Sequence, residues 1–200
     1  MSSLYKCEGF IVEDLSTIPD ILPYVSTVVF HANSARPFNI ADTIKVLSLL
    51  PGVDHLDFRN IEFDMCSDRE LEELSKACQN VNTITMLSCT ISTDSLNALL
   101  LHASHIWNLE FGRDMVYDLS GLSLKEHVAT ALGAIRAIDM VVRCGHDWYQ
   151  YMWLNYVTFQ SLKVIRFAMQ DDEARHVLEL LVASSVAVEQ LEICFYHKSS

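Results

Sequence analysis

One short pattern, returning at nearly constant intervals, constrains this chain more than any other feature. It reads aliphatic, two variable residues, aliphatic, one variable residue, apolar. It occurs as Val25/Val28/Phe30, Val53/Leu56/Phe58, Val81/Ile84/Met86, Ile106/Leu109/Phe111, Ile135/Ile138/Met140, Leu162/Ile165/Phe167 and Val188/Leu191/Ile193. The starts lie 28, 28, 25, 29, 27 and 26 residues apart. In a chain that is 50% hydrophobic, one such triplet is a chance event, but a series in near-constant register is a repeat. Between the triplets the apolar period changes from strand-like to helical. Ser67-Asp68-Arg69-Glu70 reads as a capping box, after which Leu71, Leu74 and Cys78 share one helical face. Leu96, Leu99, Leu100 and Ala103 do the same, as do Ala174, Val177, Leu178 and Leu181 after the acidic start Asp171-Asp172-Glu173. Each unit is therefore strand, bend, helix and return loop. Right-handed crossovers make successive strands parallel neighbours, and each unit buries its apolar face against the next.

These residues resemble the leucine-rich repeat family, whose consensus is L-x-x-L-x-L-x-x-N/C-x-L. The third unit fits in full with Val81, Ile84, Met86, Cys89 and Ile91, and the first carries Asn33 at the Asn/Cys position. The resemblance implies an α/β leucine-rich-repeat-like solenoid of about seven repeats, with a parallel concave sheet and helices on the convex side. It also implies that the Asn or Cys side chain turns inward and bonds the bend. The other units place Ile61, Asp114, Arg143, Gln170 and Tyr196 there, counted from the strand. An incomplete internal ladder and irregular bends are expected at those units. The stretch from Ile40 to Leu56 is most similar to the divergent arrays of fungal F-box/leucine-rich-repeat proteins, which implies substrate recognition for a ubiquitin ligase. No F-box-like start is readable, since Ile18-Pro19-Asp20-Ile21-Leu22-Pro23 is too short for one.

The whole chain, 1–200, reads as one array, with 1–24 a partial first repeat or cap and 188–200 a partial last repeat. Leu4 and Cys7 match the end of the strand pattern, and little follows the triplet that begins at Val188. No polar cap is readable at either end. Solenoids need such caps, so the expectation is a piece of a longer array, or self-association through the ends.

A net charge of −12 disfavours a phosphate backbone as partner. No apolar run is long enough to span a membrane, and no signal peptide is readable. The six cysteines lie far apart, which suggests reduced thiols rather than a disulfide framework, and a cytoplasmic or nuclear setting.

Alternate strand residues face away from the core. The middle column of that face runs Val29, Asp57, Thr85, Glu110, Asp139, Arg166, Glu192, with four acids among seven positions. The candidate partner-binding residues are His55, Asp57, Arg59, Thr83, Thr85, Asn108, Glu110, Asp139, Arg166 and Glu192. The expected partner is a protein with a basic segment; the alternative is a solvated face whose charge only confers solubility. Trp148 to Phe159 is dense in aromatics; Tyr149 and Trp153, one helical turn apart, form a candidate accessory contact.

Motifs for chemistry are sparse. Cys144-Gly145-His146-Asp147 suggests a nucleophile, but a Cys and a His two apart in a loop rarely align. His102 and His105 lack a third ligand nearby, whereas zinc needs three or four. No catalytic residue, metal or cofactor is expected, and the chain reads as a binding module or, failing that, an assembling subunit.

Overall fold

The computed structural model describes residues 20, 22–34, 37–102, 106–111, 116–118, 137–140, 163–169 and 189–195. Seven strands form one sheet: β1 (Thr27–His31), β2 (His55–Arg59), β3 (Thr83–Leu87), β5 (Asn108–Phe111), β7 (Ala137–Met140), β8 (Val164–Met169) and β9 (Gln190–Phe195). They lie side by side in chain order, and each neighbouring pair is parallel. The register aligns Val28, Leu56, Ile84, Leu109, Ile138, Ile165 and Leu191 in one row, as the repeat predicts.

Hydrogen bonds explain how each strand takes its place. The Ser26 carbonyl accepts from both Asp54 and His55 N–H; the Asp54 carbonyl accepts from Asn82 and Thr83, and the Asn82 carbonyl from Trp107 and Asn108. The Lys163 carbonyl accepts in the same way from Glu189 and Gln190. The residue just before one strand therefore fixes the start of the next.

Three helices are described: α1 (Ile40–Leu49), α2 (Asp68–Ala77) and α3 (Thr93–Leu100). Each begins at a side chain that caps an otherwise orphaned N–H. Asn39 Oδ1 accepts from Asp42 N–H at 3.1 Å, and Ser92 Oγ from Ser95 N–H at 3.2 Å. The expected capping box is present: Ser67 Oγ accepts from Glu70 N–H, and Ser67 N–H donates to Glu70 Oε2 at 2.9 Å. The helices pack in sequence, α1 on α2 and α2 on α3. Leu71, Leu74, Cys78, Leu96 and Leu99 meet Leu56, Phe58, Ile84 and Met86 in a fully buried core. The return loop before β2 approaches the preceding unit so closely that a Cβ on Gly52 would sit 2.7 Å from the Pro23 carbonyl oxygen.

The bends after β2 and β3 share one geometry. Asn60 and Ser88, each two residues past the paired Phe58 and Met86, both adopt φ 53°. This left-handed region is rare for residues with a side chain, and asparagine is among those enriched there. Ile61 and Cys89 follow, both wholly buried. The Cys89 thiol donates to the Phe58 carbonyl at 3.4 Å, as the resemblance implies for that position. Irregularity expected at Ile61 does not appear: Asn60 N–H donates to Leu87 O and Thr90 N–H to Ile61 O, so the bend is held by main chain.

Past the bend, β4 (Thr90–Ser92) pairs with β6 (Val116–Asp118) in a second parallel sheet. Phe111 pairs with Met86, but Val116 pairs with Thr90. One more residue thus lies between Phe111 and Val116 than between Met86 and Thr90; Asp114, Arg143, Gln170 and Tyr196 lie outside the described residues.

Candidate functional site

The sheet face opposite the helices holds most of the candidate residues. The strand register sets Thr27, His55, Thr83, Asn108, Ala137, Val164 and Gln190 in one row, and Val29, Asp57, Thr85, Glu110, Asp139, Arg166 and Glu192 in another.

In the second row Val29, Asp57 and Thr85 are buried, at 3%, 7% and 8% exposure. Flanking side chains cover them, so less of this row meets solvent than strand alternation alone suggests. His55, Arg59, Thr83, Asn108, Glu110 and Arg166 are half-buried, and Glu192 is exposed. Asp139 belongs to β7, where its backbone pairs between those of Glu110 and Arg166.

A directed hydrogen-bond chain crosses three strands. The Thr85 hydroxyl donates to Glu110 Oε2 at 2.8 Å. It therefore accepts from His55 Nε2, 2.9 Å away, which assigns a proton to that ring nitrogen. Asn108 Nδ2 donates to the other Glu110 oxygen at 2.7 Å. Beside this chain, Arg59 Nε lies 3.1 and 3.0 Å from the two oxygens of Asp57. These residues are two apart on one strand, so their side chains share a face. Further along, Arg166 Nε lies 3.3 Å from Glu192 Oε2 across β8 and β9. Asp57, Glu110 and Glu192 are thus each engaged by a neighbour. Their charges attract an incoming cation less than a bare carboxylate would, because the neighbouring donor or cation already meets part of each charge.

The chain of groups can hydrogen-bond and orient a ligand. It holds no activated nucleophile among the described residues. Burial pushes the Cys78 thiol up to about 12. It pushes Cys89 up to about 11, and, with the nearby Glu70 and Asp64 charges, Cys66 up to about 11. A thiol so raised stays protonated and unreactive near neutral pH. No group of three or more His, Cys, Asp or Glu among the described residues is placed to hold a metal. No helix among them is long and apolar enough to cross a membrane. Tyr149 and Trp153, Cys144 and His146, and His105 lie outside the described residues.

Sequence reasoning missed the His55–Thr85–Glu110 chain, in which His55 reaches Thr85 diagonally while Thr85 and Glu110 lie directly opposite each other. The signal was present in the columns: a donor-capable ring, a hydroxyl and a carboxylate on successive strands. It also missed that Arg59 covers Asp57, although opposite charges two residues apart on a strand share a face.

No family model matches the sequence, and no curated protein matches it. Among solved structures the chain is similar to the leucine-rich repeat-containing protein LegL7 from Legionella pneumophila, with a TM-score of 0.59 and 14% identity. The match covers 93% of this chain and 61% of that one. The likeness is one of fold: a leucine-rich-repeat-like α/β arrangement of parallel strands and helices.

Proposed function

We propose that this chain is a protein-interaction module that engages its partner through the open face of the seven-stranded sheet. The observation that carries the reading is the hydrogen-bonded row His55–Thr85–Glu110–Asn108, which presents oriented polar groups across three strands of one parallel sheet. Such a row is pre-organised, so binding costs less side-chain ordering. A protein with a basic segment remains the partner of choice, supported by the net charge of −12.

The similarity to F-box/leucine-rich-repeat arrays extends this reading to substrate recognition for a ubiquitin ligase, with the F-box supplied by another segment or chain. What supports it is the sequence pattern of residues 40–56 alone. A cytoplasmic or nuclear setting belongs to the same proposal, supported by the free thiols of Cys66, Cys78 and Cys89.

The test is a photo-crosslinking amino acid placed at Thr83 or Asn108 on the open face, or at Arg69 or Glu73 on the exposed side of α2, in the full chain inside cells. One discrete adduct from the open-face positions and none from α2 is the expected result. Adducts from α2 alone would reject the face assignment.

A further inference from the structure

A second surface lies beyond the C-terminal ends of β1 and β2, where a cleft of about 630 Å³ opens between the bend after β1 and the start of α2. Sites of about 300–1,000 Å³ hold drug-sized ligands or a few side chains of a peptide. Its apolar part includes Phe38, Ile40 and Met65. Phe38 is held edge-on against Phe58 and Phe63, with ring centroids 6.1 and 5.8 Å away, so this wall is already set before anything binds. Met65, by contrast, is 81% exposed, a large apolar side chain beside the cleft with little cover of its own. Methionine suits such a place because its flexible thioether adapts to different apolar groups.

The polar rim is acidic. The described lining carries Glu62 and Glu70 and no lysine, arginine or histidine. Glu70 is occupied in part by the Ser67 backbone and hydroxyl. The Glu62 carboxylate is exposed and has no partner among the described residues, unlike Asp57, Glu110 and Glu192 on the sheet face. Arg36 falls between Ser34 and Pro37 in sequence and lies outside the described residues.

An apolar cleft beside an unengaged carboxylate complements one kind of side-chain pair. We propose that this cleft binds a short extended peptide segment of a partner protein in which an apolar residue, seated on Phe38 and Met65, neighbours an arginine or lysine that meets Glu62. This deepens the protein-interaction reading by giving the basic segment a place distinct from the open sheet face.

The test uses short fluorescein-labelled peptides alternating leucine with arginine, titrated into the full chain by fluorescence anisotropy. Peptides alternating leucine with glutamate, and alanine with arginine, serve as controls. The leucine/arginine peptide is expected to bind best. Glu62→Gln should weaken it about two- to fivefold, as for an exposed ion pair, and Met65→Ser about tenfold. Both residues are exposed, and urea midpoints equal to the parent's would establish that the variants fold. Raising the salt to 1 M should remove most of the Glu62 effect.

Equal binding of all three peptides, or no change in either variant, overturns the proposal. So does competition by a second copy of the chain, seen as a dimer that the peptide dissolves, or equal binding of a simple hydrophobic amine. If Thr83→Arg rather than Glu62→Gln weakens the peptide, the basic segment sits on the open face. The cleft proposal then fails while the broader reading stands. If the open-face crosslinks are absent but the cleft variants act, the reverse holds.

Discussion

The bends after β2 and β3 follow the same path with different interiors. In one, a cysteine thiol reaches the carbonyl of Phe58, in the same wholly buried cluster as Met86 and Ile91. In the other, Ile61 holds the equivalent place and makes no such bond. Its neighbourhood is aromatic instead: Phe58 stacks on Phe30 at 5.7 Å, meets Phe63 edge-on at 5.3 Å, and both meet Phe38. The left-handed residue and the buried position are common to both bends, and main-chain bonds from Asn60 N–H to Leu87 O and from Thr90 N–H to Ile61 O tie the first bend to the second. An inward hydrogen bond is therefore one way to fill this bend, and dense packing is another. What cannot be exchanged is the path of the main chain.

The largest expected break in this comparison is Phe63→Ala, which removes a fully buried ring shared by Phe58 and Phe38. It should cost about 3–5 kcal/mol in urea unfolding. Ile61→Asn should cost more than Cys89→Asn, by about 1–3 kcal/mol, because an amide among aromatic rings lacks the acceptor that Cys89 already uses. Equal losses would show that the two interiors are interchangeable. Cys89→Ala should cost about 1–2 kcal/mol, from lost packing and the lost donor.

Cys89 also gives the comparison a pH dependence that Ile61 lacks. Folding raises this thiol from 9.0 to about 11. The folded state therefore favours the protonated form. The associated stability is complete below pH 9 and declines as pH rises toward 11. Cys66 and Cys78 are raised in the same direction, so Cys89→Val should make that part of the profile less steep without flattening it, read as urea midpoints between those pH values.

The smallest effect is at the helix after the Ile61 bend. Ser67→Ala should cost about 1 kcal/mol by removing the N-cap. Hydrogen bonds from Ser67 hold the Glu70 carboxyl below its usual value of 4.5. That contribution is present above pH 4.5 and fades as pH falls below it, and the Ser67→Ala profile should show a smaller acid limb, because the backbone N–H that also donates to Glu70 is kept.

The strand order and register were legible in the sequence because a two-residue alternation inside a fixed repeat leaves one face for the core. The start of α2 was legible for a different reason: Ser67 and Glu70 are three residues apart and satisfy each other locally. Side-chain traffic between strands was not legible. His55 and Thr85 are 30 residues apart and meet only through a diagonal across β2 and β3. The bend at Ile61 was misjudged because the expected ladder tracks side-chain identity, whereas Leu87 O and Thr90 N–H, both outside that repeat, hold it. The cleft was hidden because Phe38 and Met65 come from different units, and periodicity within a unit does not report what lies between two.

The doubly accepting carbonyls before the strands have a consequence for how such a chain tolerates change in length. Each serves as a milestone from which the next strand is laid, whatever the path taken in between. The added residue between β5 and β6 leaves the Asn108–Phe111 register with β7 undisturbed. Insertions and deletions can therefore accumulate in the return paths without propagating along the sheet, leaving rows of surface groups in line while the outline of each unit drifts.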